Sequence, residues 1–177
     1  RKKGIKLSLS LGYAFGREPD DSDYLTGTNE IDSGLAAGFA VNYRIKGFDL
    51  SSKYQAQVSG QNTGSRVQVG LAYKISPSKN TLFMPTLKLV FANSDYMRTF
   101  FGLTQQEAVN TGFASYRPKE GVKSYGIHLM LMHRMNRNWS FQLMTNVERF
   151  SNKVIKSPIV KTKENISILT AISYSFD

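Results

Sequence analysis

Few side chains in this sequence are of types that could do chemistry. His128 and His133 are the only two histidines. They stand five apart in a stretch that alternates apolar and polar residues, so they fall on opposite faces. That placement gives one inward and one interfacial histidine, not a catalytic or metal-binding pair. Asp49 and Glu148 share a face but sit at opposite ends of their strands, too far apart for an acid/base pair. The acidic run Glu18, Asp20, Asp21, Asp23, Glu30 and Asp32 offers Asp21-Ser22-Asp23 as oxygen ligands for Ca²⁺. It lacks the spacing of an EF-hand loop and reads as a solvated loop. No catalytic residue, metal ligand or cofactor site is assigned, and the protein is expected not to be an enzyme.

The basic residues are the remaining candidates. There are 23 Lys+Arg against 13 Asp+Glu, a formal charge of +10. No Arg-rich run or stacking platform accompanies that charge, so nucleic acid is not the expected partner. Lys6, Arg44, Lys53, Arg66, Lys74, Lys88 and Arg134 fall on one face of the alternating segments, against only Asp49 and Glu148. A closed eight-stranded barrel fills its interior with side chains. Seven cations there would lack partners, at several kcal/mol each. The expectation is a wider barrel with a wet interior, or with further acidic strands. Arg117, Lys119, Lys153, Lys156, Lys161 and Lys163 fall in long connections, where they could meet anionic lipopolysaccharide.

The elements that position these residues follow from period two. Ile5, Leu7, Leu9, Leu11, Tyr13 and Phe15 alternate with Lys6, Ser8, Ser10, Gly12 and Ala14. Six successive odd positions on one template predict a strand. The same pattern predicts seven more: about 35–43, 48–58, 66–75, 83–91, 125–132, 139–148 and 166–176. Pro85 cannot donate to a ladder and is expected at a bulge or near a strand end. One short helix is predicted, from the capping box Thr104-Gln105-Gln106-Glu107 to Gly112. No run approaches the ~20 apolar residues of a spanning helix, and the absence of Cys excludes disulfides and thiolate metal sites. Arg1-Lys2-Lys3 is followed by no apolar region of a signal peptide.

Connection lengths alternate. Those at 17–34, 59–65, 92–121 and 151–164 are longer; those at 44–47, 76–80 and 136–138 are short. Outer-membrane barrels segregate long external loops from short periplasmic turns in this way. The face opposite the apolar one is rich in Gly, Ala and Ser, which suits a crowded interior better than a solvated exterior. Aromatics gather at strand ends: Tyr43, Phe48, Tyr73, Phe83, Trp139, Tyr174 and Phe176 at the short-turn rim, and Tyr13, Phe15, Phe91 and Tyr125 at the long-loop rim. Such girdles suit the two lipid–water interfaces. The expected fold is therefore all-β: one domain over residues 1–177, an antiparallel up-and-down transmembrane β-barrel with eight visible strands. A soluble lipid-carrier barrel is the structural alternative.

Specific residues then carry a resemblance. They are Tyr96-Met97, Phe100-Phe101-Gly102-Leu103-Thr104, Gln106, Ala108, Gly112 and Tyr116. Ser157-Pro158-Ile159-Val160, Asn138-Trp139-Ser140, and Gly16-Arg17 with Asp20 to Leu25 and Gly27 add to it. In order along nearly the whole chain, these resemble the MipA/OmpV family of outer-membrane proteins. The terminal Tyr174-Ser175-Phe176 resembles the signal by which such barrels reach their insertion machinery, with Asp177 after it as a mild departure. The resemblance implies the cell outer membrane of a Gram-negative bacterium. It implies a scaffold linking a murein lytic transglycosylase to a murein synthase, and for some members an adhesin. It also implies strands preceding this segment, making a barrel of 10–12. A passive anion-preferring channel is the reading the inner cations favour on their own.

Overall fold

In the computed structural model the described residues are 4–60 and 64–176. Arg1-Lys2-Lys3, residues 61–63 and Asp177, on which some of the expectations fall, lie outside them. Each segment of alternating residues is a strand, paired antiparallel with its sequence neighbour. The strands are β1 (Gly4–Ala14), β2 (Gly34–Ile45), β3 (Phe48–Gln57), β4 (Ser65–Tyr73), β5 (Ile75–Ser78), β6 (Thr81–Ala92), β7 (Gly121–Arg134), β8 (Trp139–Phe150) and β9 (Glu164–Tyr174). The order β1-β2-β3-β4-β6-β7-β8-β9 is an up-and-down meander, with β5 added beside β6. The sheet is a curled half-barrel whose free edges are β1 and β9.

Among the described residues nine strands replace the expected eight, because the end of the predicted strand 66–75 and the start of the connection at 76–80 form a separate strand, β5. Pro85 explains the split. It pairs regularly with Leu129 on one side, inside β6 and not near its end. On the other side the ladder stops between Ala72↔Thr86 and Ile75↔Phe83. A residue without an N–H fits where the neighbouring strand is interrupted.

Turn chemistry matches the short rim. Lys46 and Gly47 both have positive φ, 46° and 92°. Two such residues between antiparallel strands form the primed turn that matches strand twist. Apolar residues point outward and stay exposed, as with Leu7, Leu9, Ile166 and Ile168. An apolar band on the outside of a curled sheet is the lipid-facing arrangement.

The buried apolar core lies largely in the long connections. Met97 and Val154 are fully buried beside Ala92, with Tyr96, Phe101, Phe150 and Val160 packed around them. Among the described residues three α-helices occur where one helix was expected, α1 (Ser94–Phe101), α2 (Gln105–Thr111) and α3 (Asn152–Ile155), with two short 3₁₀ turns at Pro19–Asp21 and Asp23–Leu25. α2 begins on the predicted capping box and ends on Gly112 in the left-handed region. α1 is capped by Asn93, whose side chain accepts from the Tyr96 amide at 2.9 Å. Sequence alternation carried no information on α1, which lies between strands.

Candidate functional site

The inner face gathers its charge near the long-loop rim. Lys88 Nζ donates to Asn146 Oδ1 at 2.9 Å, and Arg66 Nη2 donates to Gln55 Oε1 at 3.0 Å. Lys123 Nζ pairs with Glu148 Oε1 at 2.9 Å, and Ser124 Oγ donates to the same oxygen. Together with Gln68, these groups other than Gln55 line a cavity of about 170 Å³. Gly126 lies opposite both Lys88 and Glu148 in the two ladders. Lys88 reaches across β7 to Asn146 on β8, and a Cβ at Gly126 would strike the Val147 carbonyl of β8.

Lys123 was not among the sequence candidates. Alternation starting at Tyr125 places odd residues outside, yet Lys123 points inward. The cause is a register shift: Val90 pairs with Ser124 but Phe91 pairs with Val122, so Lys123 is the extra residue of a bulge. The one legible signal is that Val122 and Tyr125, three apart, both carry the outward type.

The seven predicted inner cations separate into different settings. Arg66 and Lys88 join the network above. Lys6 and Lys53 are exposed on the inner face of β1 and β3. Arg44 is tied to Asp49 at 2.6 Å near the short-turn rim. Lys74 and Arg134 line a groove at that rim with Lys79 and Arg137. His128 is half-buried on the inner face and His133 lies outside, bonded to Thr81 Oγ1. Among the described residues no group of His, Asp or Glu is placed to hold a metal.

The aromatic residues expected in the girdle lie near strand ends, whereas Phe39 and Tyr54 meet mid-strand at 5.5 Å. Phe48 stacks on Tyr73 with centroids 4.7 Å apart, and Trp139 meets Tyr174 at 4.9 Å. Phe176 packs edge-on against Tyr174. Tyr43 stands opposite Ile5 and Leu50 in the ladders beside them. At the other rim Tyr13 meets Phe15 at 5.4 Å, with Phe91 and Tyr125 also exposed.

The long connections form a folded cap. Lys161 Nζ sits 4.5 Å from the Tyr24 ring and 4.7 Å from the Phe113 ring, joining three connections through one ammonium. Arg17 Nη1 donates to Phe100 O at 3.0 Å. Buried Glu107 accepts from the Asn29 amide at 2.9 Å and from the Thr104 amide and hydroxyl at 2.8 and 2.7 Å. Burial alone would push its carboxyl up, but these donors and the nearby Arg17 charge hold it below the usual carboxylate range. α1 leans over the inner face: the Arg66 guanidinium lies 5.9 Å from the Tyr96 ring, and Phe101 packs against Phe150.

An outward apolar band between aromatic rims, a polar inner face and loops of segregated length describe an outer-membrane strand sheet. The sequence model of the family described as MltA-interacting protein MipA matches residues 1–176. The chain belongs to the MipA family. A relative named "Putative outer membrane protein YiaT", from Escherichia coli strain K12, is 18% identical over 158 residues, covering 89% of this chain and 63% of that protein. The protein of the same name from Escherichia coli O157:H7 matches equally. The chain thus spans under two thirds of the length of these relatives. No solved structure matches it. This member of the MipA family is an outer-membrane protein of Gram-negative bacteria. Outer-membrane barrels as a class carry their long loops outside and their short turns at the periplasm.

Proposed function

We propose that the chain is the greater part of a non-catalytic outer-membrane barrel that holds a murein lytic transglycosylase at its periplasmic rim and brings it near murein synthesis. The observation that carries this reading is the match to a family described by its interaction with MltA. Two arrangements agree with it. His128 and His133 face opposite ways, and each inner carboxylate is tied to a cation, Asp49 to Arg44 and Glu148 to Lys123. The folded cap occupies the long-loop rim, which supports the short-turn rim as the one open to a periplasmic partner. Further strands complete the barrel between the free edges β1 and β9. On the cap, Arg117, Lys119, Lys156 and Lys163 are exposed and available to lipopolysaccharide. The test is co-purification in mild detergent with a murein lytic transglycosylase of the same cell. A barrel that elutes alone refutes the reading.

The inner cations favour a second reading, a passive anion-preferring channel. Against it, Arg66, Lys88 and Lys123 are engaged by protein oxygens, and α1 leans over them. Absence of conductance in planar bilayers would exclude the channel.

A further inference from the structure

The short-turn rim carries four cations that form no ion pair among the described residues. Lys74 lies between β4 and β5, Lys79 in the β5–β6 turn, Arg134 at the end of β7 and Arg137 in the turn to β8. They line one groove of about 640 Å³, and among the described residues no carboxylate lines it with them. The contrast on the same rim is Arg44, which holds Asp49 at 2.6 Å. Like charges gathered without a counter-charge repel one another and favour an incoming anion.

We propose that this groove is a docking site for a carboxylate-rich segment of a periplasmic protein. Met132, Arg134 and Ser140, three of its lining residues, belong to the inward-facing set of β7 and β8. These place the groove at the mouth of the barrel, with Thr81 and Trp139 of the outward set along its outer side. The turns beside it are short, so a partner reaches the charges without displacing a loop. Identifying the partner with a lytic transglycosylase rests on the function proposed above; the groove's preference for carboxylates does not.

The experiment uses the full-length protein in detergent with two probes, a fluorescent oligoglutamate peptide and a purified lytic transglycosylase. The double variant Lys79→Glu with Arg137→Glu changes only exposed turn residues. Lys119→Glu with Lys163→Glu, on the opposite rim, is the control. Heat-modifiable gel migration confirms that each variant is folded. The expected result is peptide binding that weakens about tenfold in the rim variant, is unchanged in the control, and falls steeply with added salt. The transglycosylase should lose affinity in the same variant. If the wild type fails to bind the peptide, or the rim variant binds it equally well, the groove proposal is overturned. If the peptide result holds but the enzyme never binds, the groove stands and the scaffold reading fails.

Discussion

At the residue scale, the decisive side chains are those whose partners are fixed. Lys123 and Glu148 have side-chain exposures of 12% and 19%. Removing one member of a largely buried pair leaves a stranded charge, whereas removing both does not. Lys123→Met should therefore cost about 2 kcal/mol, with Lys88 nearby softening the loss. Adding Glu148→Gln should restore much of it. The temperature at which the heat-modifiable band unfolds measures both; an unchanged temperature for Lys123→Met would show that the pair contributes nothing. Glu107 gives a pH prediction. Its carboxyl is held below the usual range in the folded cap. Its stabilisation is thus complete above the ordinary carboxylate pKa and is lost as pH falls through the lower folded value. Protease resistance of the cap should drop in acid for the wild type. Glu107→Gln, which turns an amide toward a donor, should cost about 1–3 kcal/mol at neutral pH and show a flatter acid response.

At the scale of elements, the strands were legible and the cap mostly was not. Period two locates a strand because each residue reports its own face, as Ile5 to Phe15 do without help from elsewhere. The α2 capping box is equally local: Thr104 and Glu107 satisfy each other's backbone donors. α1 is different. Its position depends on Gly64, Arg66 and Phe150, which are far away in sequence, so no window contains the reason for it. The bulge at Lys123 also depends on the neighbouring strand, and alternation assigned that residue to no face. This contact can be broken deliberately. A Cβ at Gly64 would lie 2.7 Å from Tyr96 Cα, where no side chain fits. Gly64→Leu should lift α1 from the inner face while leaving the β4–β6 ladder paired. Trypsin added to intact cells should then cut after Arg98, whose exposed side chain the docked helix should keep uncut in the wild type. Continued protection would mean that α1 is held by the cap alone.

At the scale of the whole molecule, the two free edges set the strongest constraint. β1 and β9 are eleven residues each, exposed along nearly their whole length. In hydrocarbon an unpaired backbone amide or carbonyl costs several kcal/mol, so an open sheet cannot remain in a membrane. Two closures are available: β1 pairs directly with β9, or further strands stand between them. Direct closure makes an eight-stranded barrel, whose interior is just wide enough for side chains. That interior would have to take Lys6 and Lys53 besides Arg66, Lys88 and Lys123, with Glu148 as the one carboxylate near the network. Insertion of further strands widens the lumen and lets water or new carboxylates reach Lys6 and Lys53. Charge therefore argues for the wider barrel, and so does the greater length of the relatives. The prediction is that protein extracted from outer membranes migrates as a compact, heat-modifiable monomer. Residues 1–177 refolded alone in detergent should give no compact monomer, running either unfolded or as two copies paired edge to edge. A compact, heat-modifiable monomer of the 177-residue chain would show that β1 closes on β9, and that the inner cations are satisfied by the residues already present.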